Sequence, residues 1–357
     1  MNIMHKRKVI LCFVSIGSGL IACGRKPEPQ KTESPAKVAT SLPSSNNSAT
    51  PASNGVASSE SPAVAPPPGG KGVKAEMHNV IFRLMPKAGA HLETLSGELW
   101  PTGKNEMPVF DDKSSFEVHV NSGRVSVTPE ALSAVMNDYV FAKPDAPLKE
   151  LQVKIQNGKL DVKGKLHAKG DLPFETIGTL SVNPDGRIRV RTEKVKALHL
   201  SLKKVMSVFG IELASLLSSS KIPGIRVDKD DVFMDLGELL PPPHIRGKVS
   251  AVQVAGNSIV TMFGDGGKSA SSEEKGNYMQ FEGNRLQFGK ITMDNTDLTI
   301  LDMDPDDPLD WSPDHYREQL VQGYAKVKEN FGLRAYVKDY SKLSRNPAAK
   351  ESAVPKS

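Results

Sequence analysis

An alternation of apolar and polar residues between positions 151 and 191 limits the folds open to this chain of 357 residues. The segment "LQVKIQNGKLDVKGKL" consists of two such runs around Asn157–Gly158, a dipeptide typical of a tight β-turn. Because successive side chains of a strand point to opposite faces, each run has an apolar and a polar side. The apolar side contains Leu151, Val153, Ile155, Leu160, Val162 and Leu166, and the polar side contains Gln152, Lys154, Gln156, Lys159, Asp161, Lys163 and Lys165. The pattern predicts a hairpin in an antiparallel sheet that is covered on one face.

A second hairpin is predicted in "FETIGTLSVNPDGRIRVRT", with its turn at "NPDG". The polar sides of the two hairpins are mainly basic, through Lys154, Lys159, Lys163, Lys165, Arg187, Arg189 and Arg191. This face is either a membrane-facing surface, where each cation near anionic headgroups contributes about 1 kcal/mol, or a solvated face whose charges discourage strand aggregation. Nucleic acid is not expected as a partner, because the net charge is only +5, aromatic residues make up 6% and no binding motif is present.

An apolar segment, "LHLSLKKVMSVFGIELASLL", follows the hairpins. Its large side chains recur at helical spacing, with Gly210 as a break or kink, so an amphipathic helix is predicted. Its apolar stripe either covers the sheet as plain core or lines a groove for an apolar ligand, for which the adaptable side chains of Met and Phe are suited. The candidates for such a groove are Phe174, Leu202, Val205, Met206, Phe209 and Leu213.

The remaining body alternates between strand patterns and helix starts. "MHNVIFRLM", "AHLETLSGELWP" and "SSFEVHVNSGRVSV" predict successive strands, the last segment divided into two strands at Asn121–Gly123. Helices are predicted to begin at Thr128–Pro129 and at Ser312–Pro313, and the second is expected to continue through Tyr324 and Val327. The fold class is therefore α+β, a meandering antiparallel sheet with a few amphipathic helices packed on it.

The first 23 residues have the layout of an export signal. A basic start precedes an apolar run of about 14 residues, which is too short to cross roughly 30 Å of hydrocarbon. The sequence "LIAC" resembles the bacterial lipobox, and this resemblance implies cleavage before Cys23 and its acylation, for example with palmitate. The alternative is an ordinary secretory signal, or a cysteine with no role. Gly24 after the cysteine implies, by the same resemblance, a periplasm-facing or surface lipoprotein of the cell envelope, in the outer membrane rather than the inner one.

The expected organisation has four parts: a signal peptide at 1–22, a lipidated tether at 23–76, a body at 77–343 and a tail at 344–357. The tether is rich in Pro, Ser, Ala and Asn and has almost no large apolar residue, so disorder is predicted. As a flexible coil it spans roughly 40 Å. Cys12 lies in the signal peptide, so the mature chain has one cysteine and no internal disulfide.

Within the body, residues 126–265 resemble the LmeA-like branch of the tubular lipid-binding (TULIP) proteins. The resemblance rests on the order of helix, two alternating hairpins, an apolar helix, "PGIRV" and "PPPHIRGKVSAVQVAGNSIVTMFG". It implies a strongly curved antiparallel sheet that wraps a helix and leaves an apolar groove. The implied function is noncovalent binding or transfer of a phospholipid, an isoprenoid or another apolar molecule. The alternative is a structural or interaction lipoprotein with a fully self-packed body and no ligand.

Catalytic signatures are absent from the body. Neither GxSxG nor HExxH nor a Walker-type loop occurs, and the histidines are scattered singly, so neither an enzyme nor a cofactor is expected. The acidic stretch "LDMDPDDPLD" is a candidate calcium-binding segment. In an EF-hand loop, however, the sixth and twelfth positions are Gly and Glu, and here they are Asp307 and Pro313. Acidic residues ahead of a helix are also expected from its dipole, so no metal is predicted.

Overall fold

The structure is a computed structural model that describes residues 72–167, 171–197, 222–228, 231–268 and 274–344. These residues are mostly in strands, with few helices. In chain order the strands are β1 Val73–Met85, β2 Ala88–Pro101, β3 Phe116–Val127, β4 Leu148–Gln156, β5 Lys159–His167, β6 Asp171–Val182, β7 Ile188–Ala197, β8 Ile225–Asp228, β9 Asp231–Met234, β10 His244–Arg246, β11 Val249–Ala255, β12 Ser258–Phe263, β13 Tyr278–Gly283, β14 Leu286–Phe288, β15 Ile291–Met293, β16 Thr296–Asp302, β17 Leu309–Trp311, β18 Tyr324–Val327 and β19 Leu333–Val337. The helices are α1 Pro129–Val135, α2 Leu236–Leu239 and α3 Tyr316–Val321, with a π-helical turn at Met136–Val140 and a 3-10 turn at Tyr340–Lys342.

Two large sheets organise the described residues. The first has eleven strands in the order β11-β12-β3-β2-β1-β13-β16-β19-β18, with β10 paired to β3 and β17 to β1. The second has six strands in the order β4-β5-β6-β7-β9-β8, and β14 with β15 forms a small third sheet. The first sheet therefore combines strands from the segments 73–127 and 278–337. Strand β1 begins at Val73, four residues before the expected start of the body at 77.

The two hairpins predicted from alternation are confirmed. Strands β4 and β5 are antiparallel and turn at Asn157 and Gly158, both of which have positive φ. Strands β6 and β7 form the second hairpin. The prediction is wrong at Asp161, whose side chain was expected on the exposed face but is only 2% exposed, and one of its carboxylate oxygens has no hydrogen-bond partner.

The predicted break at Asn121–Gly123 is wrong, because β3 is one continuous strand. Its pairing with β2 shifts in register at two places on β2, between Leu92 and Thr94 and between Ser96 and Gly97. At Gly123 the strands approach closely, since a Cβ there would lie 3.0 Å from the carbonyl oxygen of Thr94. The glycine serves close packing inside a bulged strand rather than a turn.

The two predicted helix starts have different outcomes. Helix α1 is confirmed: the Thr128 side chain accepts a hydrogen bond from the amide of Ala131, and Pro129 is its first residue. Helix α3 begins at Tyr316 and not at Pro313, and the amide of Ser312 instead donates to the buried Gln319 side chain. The residues expected at the end of this helix, Tyr324 and Val327, lie in edge strand β18.

The largest hydrophobic cluster lies on the eleven-stranded sheet. It includes the fully buried side chains of Trp311, Phe281, Leu99 and Met279. Beside them the rings of Phe110, Phe281, Phe288 and Tyr316 meet edge-to-face or tilted. Burial of such aromatic side chains stabilises a fold by about 1.5–3 kcal/mol each. The helices of the described residues lack the length and hydrophobicity that a membrane span requires.

Candidate functional site

The candidate site is an apolar cavity of about 150 Å³. Its walls come from both large sheets and from the helices α1 and α2. The lining residues are Met77, Phe82, Leu84, Ala90, Leu92, Leu95, Val118, Val120, Val125, Val127, Leu132, Val135, Leu160, Leu180, Ile188, Met234, Leu236, Leu239, Leu240, Pro243, Ile245, Ile259, Thr261 and Phe263. None of them carries a charge, and Thr261 alone has a polar side chain.

Strand alternation explains how these residues reach the cavity. On β12, Ile259, Thr261 and Phe263 are all buried and all line it, as expected for every second residue of a strand. Strand β12 pairs with β3 so that Thr261 lies opposite Val125, and Val125 lines the same wall. The backbone amides of this wall are paired in the sheet, so the surface that lines the cavity is almost entirely hydrocarbon.

A smaller cavity of about 30 Å³ adjoins the first. The two share Met77, Phe82, Val118 and Pro243 as walls. The smaller one also borders Lys113, whose ammonium lies 2.6 Å from a carboxylate oxygen of Asp314. Met77 lines both spaces, and its flexible thioether side chain changes rotamer with little strain.

The groove residues predicted from the sequence are not the ones that line this cavity. Phe174 lies on β6 in a separate packed cluster with Phe141, Leu151 and Leu166. The other five candidates, Leu202, Val205, Met206, Phe209 and Leu213, lie outside the described residues, as does the lipidation candidate Cys23. Most cavity walls instead come from β1, β2, β3 and β12. Their alternating buried positions were visible in the sequence, but nothing in it separates a cavity wall from close-packed core.

The basic residues of the second sheet are interleaved with carboxylates. The ion pairs are Lys159 with Glu193 at 2.5 Å, Lys163 with Glu175 at 3.6 Å, Lys165 with Glu150 at 2.6 Å, Arg187 with Asp235 at 3.8 Å, Arg189 with Asp231 at 2.5 Å and Arg191 with Asp231 at 3.0 Å. In the part of the chain that the structure describes, Lys154 has no such pair. Seven cations thus face five carboxylates, so the face has a weaker positive potential than its basic residues alone imply.

The acidic stretch near the third helix surrounds a lysine. Carboxylate oxygens of Asp302, Asp307 and Asp339 come within 4.8 Å of one another. The ammonium of Lys342 lies 2.7 Å from Asp304, 2.9 Å from Asp307 and 2.9 Å from Asp339. This ammonium supplies the positive charge that clustered carboxylates require. Burial raises the pKa of Asp302 to about 6, with the charges of Asp339 and Asp307 acting in the same direction.

Asp302→Asn is expected to flatten the pH dependence of stability. Because the folded-state pKa of about 6 exceeds the unfolded value, folding favours the protonated acid; this stabilisation is fully present below about pH 4 and is lost as the pH rises through about 6. The difference corresponds to at most about 3 kcal/mol, and we expect about half of it because Asp302 is half-buried. Urea midpoints between pH 4 and 7 measure the effect. The exposed Asp306→Asn is the control, and an unaltered profile for Asp302→Asn would contradict the expectation.

Comparisons of the chain with protein-family models, with curated proteins and with solved structures found no match.

Proposed function

We propose that the protein is a lipoprotein of the bacterial cell envelope whose body holds a lipid or another apolar ligand noncovalently in the cavity between its two large sheets. The cavity is the observation that supports this function. In the proposed arrangement, Cys23 anchors the chain in the membrane, with the outer membrane favoured, and the tether lets the body move away from the anchor. We further propose that the body has a TULIP-like fold, with its two large sheets curved around the ligand.

The energetics of the cavity favour an apolar occupant. Enclosed empty cavities in protein cores cost about 24 cal/mol per Å³; this space of about 150 Å³ is partly open, so its cost is at most about 3–4 kcal/mol. Water is a poor filler, because a buried water needs two to four polar partners and this wall has one polar side chain. An apolar ligand offsets the cost by making the missing dispersion contacts and by leaving water itself.

The size of the cavity selects among lipids. An engineered cavity of about 150 Å³ takes benzene, so the described space suits one ring, one isoprenoid unit or part of a single acyl chain. Two acyl chains of a phospholipid require far more room. The adjoining smaller cavity offers a route for extension past Met77.

The basic face is the proposed membrane-facing surface. Because six of its seven cations are already ion-paired, its attraction to anionic headgroups is expected to be modest and to weaken with salt. Its role in this proposal is orientation of the body during ligand exchange, while the lipid anchor provides the attachment.

Native mass spectrometry on residues 24–357, purified without detergent from a bacterial periplasm, tests the proposed function. We expect a stoichiometric co-purifying lipid or isoprenoid that solvent extraction removes and incubation with lipid vesicles restores. A ligand-free mass that stays unchanged after incubation with vesicles would contradict the proposal. That result would instead support a structural or interaction lipoprotein without a ligand, the second candidate function.

The second candidate is a structural or interaction lipoprotein without a ligand. It is favoured by strand β18, which ends the order of the eleven-stranded sheet and has all four residues exposed. Val327 in this strand is 70% exposed, and Phe331 in the following turn is 91% exposed. A sheet edge with unpaired backbone groups and apolar side chains is suited to pairing with another chain.

A further inference from the structure

The hydroxyl of Thr261 is the unusual group of the cavity. Thr261 is 7% exposed and lies in the middle of β12, between Ile259 and Phe263. No hydrogen bond joins its hydroxyl to another of the described residues, and the hydroxyl is not among their fully enclosed, unpaired side-chain atoms, so it retains some accessible surface. Its neighbours across the strands are Val125 on β3 and Val252 on β11, neither of which can offer a side-chain partner.

An unpaired hydroxyl in a hydrocarbon wall has a chemical consequence for the occupant. A ligand with one oxygen placed at Thr261 gains a hydrogen bond that the protein leaves open, whereas a pure hydrocarbon leaves that hydroxyl unsatisfied. A charged group cannot take this position, because no cation or anion lines the cavity and burial of an uncompensated charge is very unfavourable. A lone water is unsuited as well, since it would find one polar side chain.

We propose that the cavity is specific for a neutral apolar molecule that carries a single hydroxyl or ester oxygen, and that Thr261 is the residue that recognises this oxygen. The inference rests on the proposed function of the cavity and refines its ligand class. Carboxylates and phosphates stay outside the cavity, so an ionised headgroup of a longer ligand remains in solvent while its neutral part is bound.

The test is a cycle of two ligands and two proteins. Affinities of 1-hexanol and n-hexane are measured by calorimetry or NMR titration for residues 24–357 and for the Thr261→Val variant. Valine matches threonine in shape and suits a strand, so the wall keeps its form, and a urea midpoint verifies folding. We expect Thr261→Val to weaken the binding of 1-hexanol about three- to tenfold, as for the loss of one neutral hydrogen bond. The affinity for n-hexane should change by less than twofold.

Two further arms make the outcomes distinguishable. Thr261→Ser retains the hydroxyl and is expected to keep the preference for 1-hexanol. Hexanoate at neutral pH is expected to bind more weakly than 1-hexanol to the unchanged protein. Equal effects of Thr261→Val on 1-hexanol and n-hexane, or no effect on either, would overturn the role of Thr261 while the binding function stands. Binding of neither ligand by the unchanged protein would overturn the cavity function and this inference together.

Discussion

Arg83→Met is expected to lower the free energy of unfolding by about 3 kcal/mol. Arg83 donates to both carboxylate oxygens of Asp310, from Nε at 2.6 Å and from Nη2 at 2.8 Å. The Asp310 side chain is 5% exposed, so removal of the guanidinium leaves a buried carboxylate without its countercharge. Loss of one member of a buried pair costs about 3–5 kcal/mol, and the lower end applies because Arg83 remains partly exposed.

This ion pair joins two neighbouring strands of the first sheet that are far apart in the sequence. Arg83 is on β1, Asp310 is on β17, and Asp310 also accepts a hydrogen bond from the amide of Ser341. Urea unfolding of residues 24–357 measures the loss. Arg83→Lys, which keeps the charge without the two-pronged geometry, is the matched variant and should lie in between. The double variant Arg83→Met with Asp310→Asn should recover part of the lost free energy of unfolding. A loss under 1 kcal/mol in Arg83→Met alone would contradict the expected role of this ion pair.

Ala90→Leu and Ala75→Leu are expected to have opposite effects on stability. Both alanines are buried in neighbouring strands of the same sheet, but only Ala90 lines the cavity. Added methylenes at Ala90 enter open space, and each contributes up to about 0.8 kcal/mol, so a gain of about 1–2 kcal/mol is expected. At Ala75 the same atoms enter close-packed core, where overpacking costs about 1–3 kcal/mol.

The ligand supplies the second readout for this pair. Ala90→Leu should weaken binding of n-hexane at least tenfold, because the added side chain occupies part of the space that the ligand needs. Ala75→Leu should leave this affinity unchanged as long as the protein is folded. Denaturation midpoints and titrations on the same samples separate the two effects. Destabilisation by both substitutions to the same extent would show that the space at Ala90 does not accommodate added atoms.

Local patterns allowed much of the second sheet to be predicted. The turn at Asn157–Gly158 and the start of α1 at Thr128–Pro129 depend on backbone preferences of a few neighbouring residues, so the sequence is sufficient there. The local prediction is wrong at Gly123, where a glycine typical of a turn serves close strand packing. It was also wrong at Ser312, whose amide bonds to Gln319 instead of beginning a helix.

From the sequence one can predict that the chain is rich in strands and that one face of the hairpins is basic, and the first 23 residues resemble a lipoprotein signal. These features depend on residue type and on spacing along the chain. The three-dimensional arrangement was needed to show that the basic residues are paired with carboxylates and that Asp161 is buried. It also decided that Ala90 and Thr261, 171 positions apart, border one cavity while Ala75 does not. A cavity depends on how side chains that are far apart in the sequence pack together, and no local sequence pattern contains that information.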